Sequence, residues 1–497
     1  MAATATDAAV ATRRADVAVV GAGAAGLYAA LCGSRAGASV VLVSATPLAQ
    51  TASYWAQGGL AAALAAADSA ELHCRDTERA GRDLVRHAAA EILAREAPQC
   101  VRDLQSLGVR FDADRFGRLA LGLEGGHSVR RVVHAGGSAT GRRVVRQLSA
   151  RVAADTRILV LEQERARALW DAGGRCCGLV CDSGEVILAR AVVIASGGAA
   201  ALWARTTNPP GSQGVGLLLA HAAGAELADL ELLQFHPTAV IGVPGREGFL
   251  VTEAIRGEGA TLHDADGARF VDELLTRDEV ARAIQARLEA SGRESVGLDM
   301  RMVDPARFPN VVSALREAGL DPMRELIPVA PAAHYMMGGI LADLHARSTL
   351  AGLYAVGESS CTGLHGANRL ASNSLSECFV FARRAIDHAL GEPAGAPPPV
   401  SEAELERLRG ALAPPVADRA TRAELWRLAG IERTREGLEE LSRAQHPLVR
   451  LIARCALERT ESRGAHRRRD YPQRDRALDH RHVVVRGDGA TSWQTWP

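Results

Sequence analysis

Near the N-terminus, Gly21, Gly23 and Gly26 form GxGxxG between the apolar run Val17 to Val20 and an Ala-rich stretch from Gly26 to Arg35. A second apolar run, Ser39 to Val43, follows. Strand, tight turn, helix and strand in that order open a Rossmann-like fold, in which each glycine meets a steric demand. Gly21 permits the turn, Gly23 lets backbone approach a pyrophosphate, and Gly26 lets the helix pack on the strand. Ala24 and Ala25 complete the phosphate-facing turn. The bare motif is weak evidence, and its flanks make it strong. The acid expected about 20 positions on to hold a ribose is absent. Ser44 stands at the end of the second strand and leaves a hydroxyl for that contact.

A late apolar run, LAGLYAVGE, ends in Gly357 and Glu358. This resembles the flavin disulfide-reductase-like folds, in which a Gly-acid pair closing a late strand places an acidic side chain near the ribityl chain, and together with the first motif it favours FAD over a nicotinamide. Composition removes other chemistries. The sequence contains no lysine, so Schiff-base, pyridoxal-phosphate and Walker-type phosphate-binding lysines are excluded. The 58 basic and 58 acidic residues give no net charge and no reason to expect nucleic acid or an anionic membrane. Nine cysteines are too sparse for a disulfide scaffold and point to a reducing cytoplasm. Cys176, Cys177 and Cys181 lack a second group at metal spacing, so no metal site is expected. Arg13 and Arg14 precede the glycine motif as in a twin-arginine signal, but cleavage would remove that motif, and they read as a solvated lead-in. No uninterrupted apolar run reaches membrane-spanning length.

The pattern is helical from Ser69 to Leu107, strand-like with Gly turns from 158 to 198, and rich in Arg, Glu and Pro from 240 to 333, as in an inserted domain. An amphipathic helix runs through Leu390, GEPAGAPPPV at 391–400 reads as a linker, and 401–462 has the spacing of a small helix bundle. The expected fold class is α/β: a Rossmann-like FAD-binding domain at 14–238 and 335–392, an inserted α+β capping domain at 239–334, and a C-terminal helical domain at 401–497.

Gln57, Gly58 and Gly59 in YWAQGGLAA, QFHPT around His236, TEAIRGEGA from Thr252, TRDEVARAI around Arg277, PAAHYMMGGI around His334 and GLHGANRLASNSLSECFVF occur in order across nearly the whole chain. Together they resemble the succinate dehydrogenase and fumarate reductase flavoprotein superfamily. Within it, EGGHSVRRVVHAGGSATGR at 124–142 and ESRGAHRRRDYP at 461–472 are most similar to the L-aspartate oxidases. The resemblance implies FAD held by the glycine turns above together with Asn373, Ser374 and Leu375. Covalent attachment in the membrane-bound relatives uses a His five residues before the Gln of AQGG. Here that position is Ala52, which implies non-covalent FAD.

The resemblance also implies a site for a C4 dicarboxylate, with His334 and Arg369 clamping one carboxylate and His236 and Thr252 the other. A guanidinium fork matches a carboxylate bidentately. Taken singly, each histidine is more often an ordinary core residue. Arg277 matches the proton-shuttling arginine, and an isolated guanidinium is so poor a base that neighbouring carboxylates, Glu253 and Asp278, are needed to relay the proton. Glu124 would accept hydrogen bonds from a substrate ammonium and repel succinate. The implied reaction is hydride transfer from aspartate Cα to flavin N5, giving iminoaspartate, with oxygen or fumarate as acceptor. In the family the imine passes to quinolinate synthase for NAD biosynthesis. The rival readings are a soluble fumarate reductase or succinate dehydrogenase flavoprotein, and a non-catalytic flavoprotein that has lost the chemistry.

Overall fold

The computed structural model describes residues 12–48, 51–391 and 400–496. At its centre, the strands Ile158–Glu162, Val40–Ser44, Thr12–Val20, Val186–Ile194 and Leu353–Ala355 run parallel side by side. Side chains alternate across this sheet. Val17, Val19, Leu42 and Val193 face the layer of helices Ala24–Arg35, His87–Ser106, Thr140–Ala153 and Asn373–Gly391, while Ala18, Val41, Val192 and Ile194 face the opposite layer. Burial on both faces is why these strands read as unbroken apolar runs. An antiparallel meander, Ala166–Asp171 and Cys176–Cys181, extends the sheet from Val186–Ile194. Arg13 and Arg14 are solvent-exposed as expected, and they belong to the first strand, pairing in register with Ile187 and Leu188.

A second, antiparallel sheet holds Leu233–Val240, Ile327–Met336, Val296–Asp299 and Thr261–His263 in that order. Helices Arg277–Ser291 and Pro309–Glu317 pack with it around Val240, Ile255, Val280, Ile284, Leu298 and Ile327. Its two longest strands run through 238/239 and 334/335, so they carry His236 and His334 out of this unit to the face of the first.

Beyond 400, helices Glu402–Arg409, Arg419–Leu428, Arg435–Leu441 and Pro447–Glu458 follow as expected. The tail differs from a helical reading: Arg481–Val485 and Thr491–Thr495 form an antiparallel hairpin that joins Leu227–Ala228 in a mixed sheet. Its β-branched residues and the Arg-Gly-Asp-Gly turn between the strands explain the difference. The expected linker lies mostly at 392–399, outside the described residues. Among the described residues no helix is long and apolar enough to cross a membrane, and all nine cysteines are free.

Candidate active site

A cavity of about 1030 Å³ lies between the carboxyl ends of the parallel strands, the second sheet and helix Asn373–Gly391. At one end, Gly21, Gly23, Ala24, Ala25 and Ser44 line the wall. Gly21 has φ +108°, and a Cβ there would sit 2.4 Å from the Ala195 carbonyl oxygen, so only glycine fits. Gly26 lies behind the wall, where a Cβ would strike the Gly21 carbonyl, and its role is close packing. The Ser44 hydroxyl donates to the Thr46 carbonyl at 2.5 Å. Glu164 reaches the same wall from beyond a neighbouring strand, its backbone N–H donating to the Ser44 carbonyl at 2.9 Å. A carboxylate therefore stands beside the position where sequence spacing found none.

Further along are Ala52, Gln57, Gly58, Gly59, Glu358, Ser374 and Leu375. Gln57 Nε2 donates to the Leu250 carbonyl at 2.6 Å and ties the two sheet units together. Glu358 accepts from the Met336 backbone N–H at 2.9 Å, and burial pushes its carboxyl up to about 7. Gly357 sits behind it in a left-handed turn. Asn373 is not on the wall, because its amide is engaged by His73 at 2.8 Å and Thr77 at 3.0 Å. The donor set fits a dinucleotide cofactor: Thr51 Oγ1, Gln57 Oε1 and Ser196 Oγ are buried on this wall without protein partners. Buried polar atoms of this kind are ordinarily satisfied, here by a ligand's groups.

The other end gathers Glu124, His236, Thr252, Glu253, Arg277, His334 and Arg369. Arg277 opens helix Arg277–Ser291, and its Nε donates to Glu253 Oε2 at 2.6 Å while Nη1 donates to Gln234 Oε1 at 2.9 Å. Arg256 stands on the other side of Glu253, 3.5 Å from Oε1. Burial pushes the Glu253 carboxyl up, but Arg277 and Arg256 outweigh it and hold the group below its usual range. Asp278 is not a partner of Arg277. It lies on the outer side of the helix start, where it accepts from Arg82 at 3.1 Å and from the Thr276 hydroxyl at 2.5 Å.

His236 Nδ1 accepts the Thr238 N–H at 3.2 Å, which places the ring proton on Nε2. His334 Nδ1 meets the Thr207 hydroxyl at 2.8 Å, and the two imidazoles pack edge to face at 5.1 Å. Both titrate well below the ordinary histidine range, first through burial and then through Arg277, with Arg369 adding to it. They are neutral hydrogen-bond partners. Thr252 caps helix Glu253–Gly257. Arg369 donates to Ser374 Oγ at 3.0 Å and makes no ion pair with a carboxylate among the described residues, while its Nε is buried without a partner. Burial and the nearby Arg277 bring it down to about 10. Glu124 is 5% exposed; Oε2 accepts from the Ser372 hydroxyl at 2.6 Å, while Oε1 makes no hydrogen bond among the described residues and lies 4.0 Å from His134 Nε2. Ser372 holds φ +59°, a strained conformation for serine, and also accepts the Gly59 N–H at 3.0 Å.

The family described as "FAD binding domain" matches residues 16–375, and "Fumarate reductase flavoprotein C-term" matches 443–494. An L-aspartate oxidase of Streptomyces coelicolor is 41% identical, covering 95% of this chain and 91% of its own. One of Caulobacter vibrioides is 45% identical, covering 92% and 93%. The chain belongs to the L-aspartate oxidase family. Among solved structures, the flavoprotein FrdA of Escherichia coli quinol fumarate reductase superimposes with TM-score 0.87 at 28% identity over 98% of this chain and 97% of its own.

The segments that resembled L-aspartate oxidases divide in the structure. The first delivers Glu124 to the cavity and then turns structural: His127 bonds the Ala371 carbonyl at 2.9 Å, and the fully buried Arg131 pairs with Asp68 and Asp76. The second is a buried ion-pair network in which Arg463 and Arg459 bind Glu461, and Arg459 also binds Glu231 at 2.7 Å. Sequence reasoning missed Gln234, Arg256, Ser372 and Glu164. Gln234 links Arg277 to the Arg369 carbonyl, which Nε2 reaches at 2.9 Å. Its place two residues before His236 on a strand, and hence on the same face, was the available signal.

Proposed function

We infer that this protein uses FAD to oxidise L-aspartate to iminoaspartate, the opening step of NAD biosynthesis through quinolinate. One observation carries the reading: among the described residues, the same cavity holds a buried guanidinium with no carboxylate partner, Arg369, and a buried carboxylate oxygen with no hydrogen-bond partner, Glu124 Oε1, which lies 4.0 Å from His134 Nε2. A substrate with carboxylates and an ammonium completes both. FAD, when bound, accepts the hydride from substrate Cα and passes electrons on to oxygen or fumarate.

The chain's own residues do the rest. Arg369 and His334 hold one carboxylate; His236, as an Nε2–H donor, and Thr252 hold the other; Glu124 takes the ammonium and disfavours succinate. As Cα loses hydride the ammonium must shed a proton, and Arg277, backed by the Glu253 carboxylate, is the group that moves it. Residues 239–334 act as the cap over a flavin domain built from 14–238 and 335–392. Ala52 at the linkage position supports non-covalent FAD, so acid precipitation should leave the yellow colour in the supernatant, and colour in the pellet refutes that point. The nine free thiols support a cytoplasmic setting, where the unstable imine is handed to quinolinate synthase. The fumarate-reductase reading lacks a use for Glu124. Anaerobic addition of L-aspartate to the yellow protein should bleach it and succinate should not; bleaching by succinate alone overturns the assignment.

A further inference from the structure

Arg369 is 4% exposed and, among the described residues, its guanidinium has no acidic partner, so something other than an ion pair must hold it in place. The face of Tyr335 lies under it, with the guanidinium carbon 4.5 Å from the ring centroid. Tyr335 follows His334 on strand Ile327–Met336 and is itself fixed from behind. Its hydroxyl donates to Glu377 Oε2 at 2.7 Å, His365 Nε2 reaches the same oxygen at 2.9 Å, and the His365 ring packs edge-on against Tyr335 at 5.3 Å. Glu377 and Ser374, which also binds Arg369, share helix Asn373–Gly391. Neither Tyr335 nor the buried Glu377–His365 pair has a part in the proposed mechanism.

We propose that Tyr335 is a positioning residue for substrate binding, its pinned ring face orienting Arg369 by a cation–π contact without neutralising it. A carboxylate in that place would hold the arginine equally well but would compete with the substrate carboxylate for the same N–H groups. A ring face attracts the cation through its quadrupole and leaves those hydrogens free. Attraction of this kind is strongest in a desolvated site such as this one. The Glu377–His365 pair keeps the ring from turning edge-on, which would present the positive rim to the guanidinium.

The proposal rests on Arg369 being a carboxylate clamp, and the experiment separates the two. Succinate is titrated calorimetrically into the FAD-loaded wild type, Tyr335→Phe, Tyr335→Leu, Arg369→Gln and the Tyr335→Leu/Arg369→Gln double variant. Tyr335→Phe keeps the face and should bind within about 3-fold of wild type, while Tyr335→Leu should bind roughly 10-fold more weakly. In the Arg369→Gln background the leucine change should add nothing, because the ring acts through that arginine. If phenylalanine is as damaging as leucine, or if the leucine effect persists in full without Arg369, the proposal falls. If Arg369→Gln itself leaves succinate binding intact, the clamp reading falls instead. Should Tyr335→Leu not fold, Tyr335→Met takes its place with the same expectation.

Discussion

Buried arginines in two regions of this chain are partnered differently. In the C-terminal region three are ion-paired, Arg459 between Glu231 and Glu461, Arg463 between Glu461 and Asp479, and Arg468 by Asp470, while Arg433 bonds the Glu231 carbonyl and His466 instead. Around the cavity, Arg256 and Arg277 share one carboxylate, Glu253, and Arg369 has none among the described residues. Burying an unpaired charge is costly, and breaking a buried pair is costly because it leaves one. The first group is therefore structural. The second is a positive surplus, which on the proposed function receives the substrate carboxylates.

The sharpest way to break this contrast is to remove one arginine from each group and measure unfolding in urea. Arg459→Met strands Glu231, while Glu461 keeps Arg463, and should cost about 3 to 5 kcal/mol. Arg369→Met removes a buried charge with no acidic partner and should leave stability unchanged or higher. Equal losses in both would mean that the division into structural and functional arginines is wrong.

Within the cavity the contrast sharpens between Arg277, tied to Glu253, and the clamp. Arg277→Leu should cut turnover by at least about 100-fold, the scale of general acid–base catalysis. Succinate affinity should change much less. A collapse of affinity with turnover preserved at saturation would make Arg277 a clamp residue instead.

How far the sequence showed this division depends on the kind of signal. Glycine positions were legible, because Gly21 and Gly59 occupy points where a Cβ would meet backbone. The site histidines and arginines were legible through family motifs, but those motifs do not show which arginine is paired. ESRGAHRRRDYP resembles the family as TRDEVARAI does, and only the fold puts Arg463 against Glu461 and leaves Arg369 without a carboxylate among the described residues. Partners from distant segments, such as Gln234 with Arg277 or Ser372 with Glu124, have no local sequence signature. The Asp278 expectation failed for a geometric reason: the residue next to Arg277 on a helix points about 100° away from it.

A smaller effect is acid sensitivity, to which buried histidines of both regions contribute. His466 accepts from Arg433 at 2.9 Å, and burial together with Arg433 and Arg459 holds it well below the ordinary histidine range. The unfolded chain takes up a proton near pH 6.5 that the native state refuses, so stability is lost as pH falls below that value. One pH unit lower this amounts to about 1 kcal/mol for one histidine. Replacing it with glutamine should make the fall in Tm between about pH 7 and 5.5 shallower. Parallel curves would place the acid sensitivity elsewhere.

The central claim is that Glu124 sets one negative group in this positive cavity to read the substrate ammonium. Its most direct test is the ratio of aspartate oxidation to fumarate reduction in one preparation of Glu124→Gln, which cancels losses of folding or FAD content. Loss of a charged hydrogen bond costs about 1.5 to 3 kcal/mol, so kcat/KM for aspartate should fall roughly 10- to 150-fold. Fumarate has no ammonium to lose, and its reduction should stay unchanged or quicken. A fall of both activities by the same factor would contradict the account and make Glu124 a support for Ser372 and the adjoining wall.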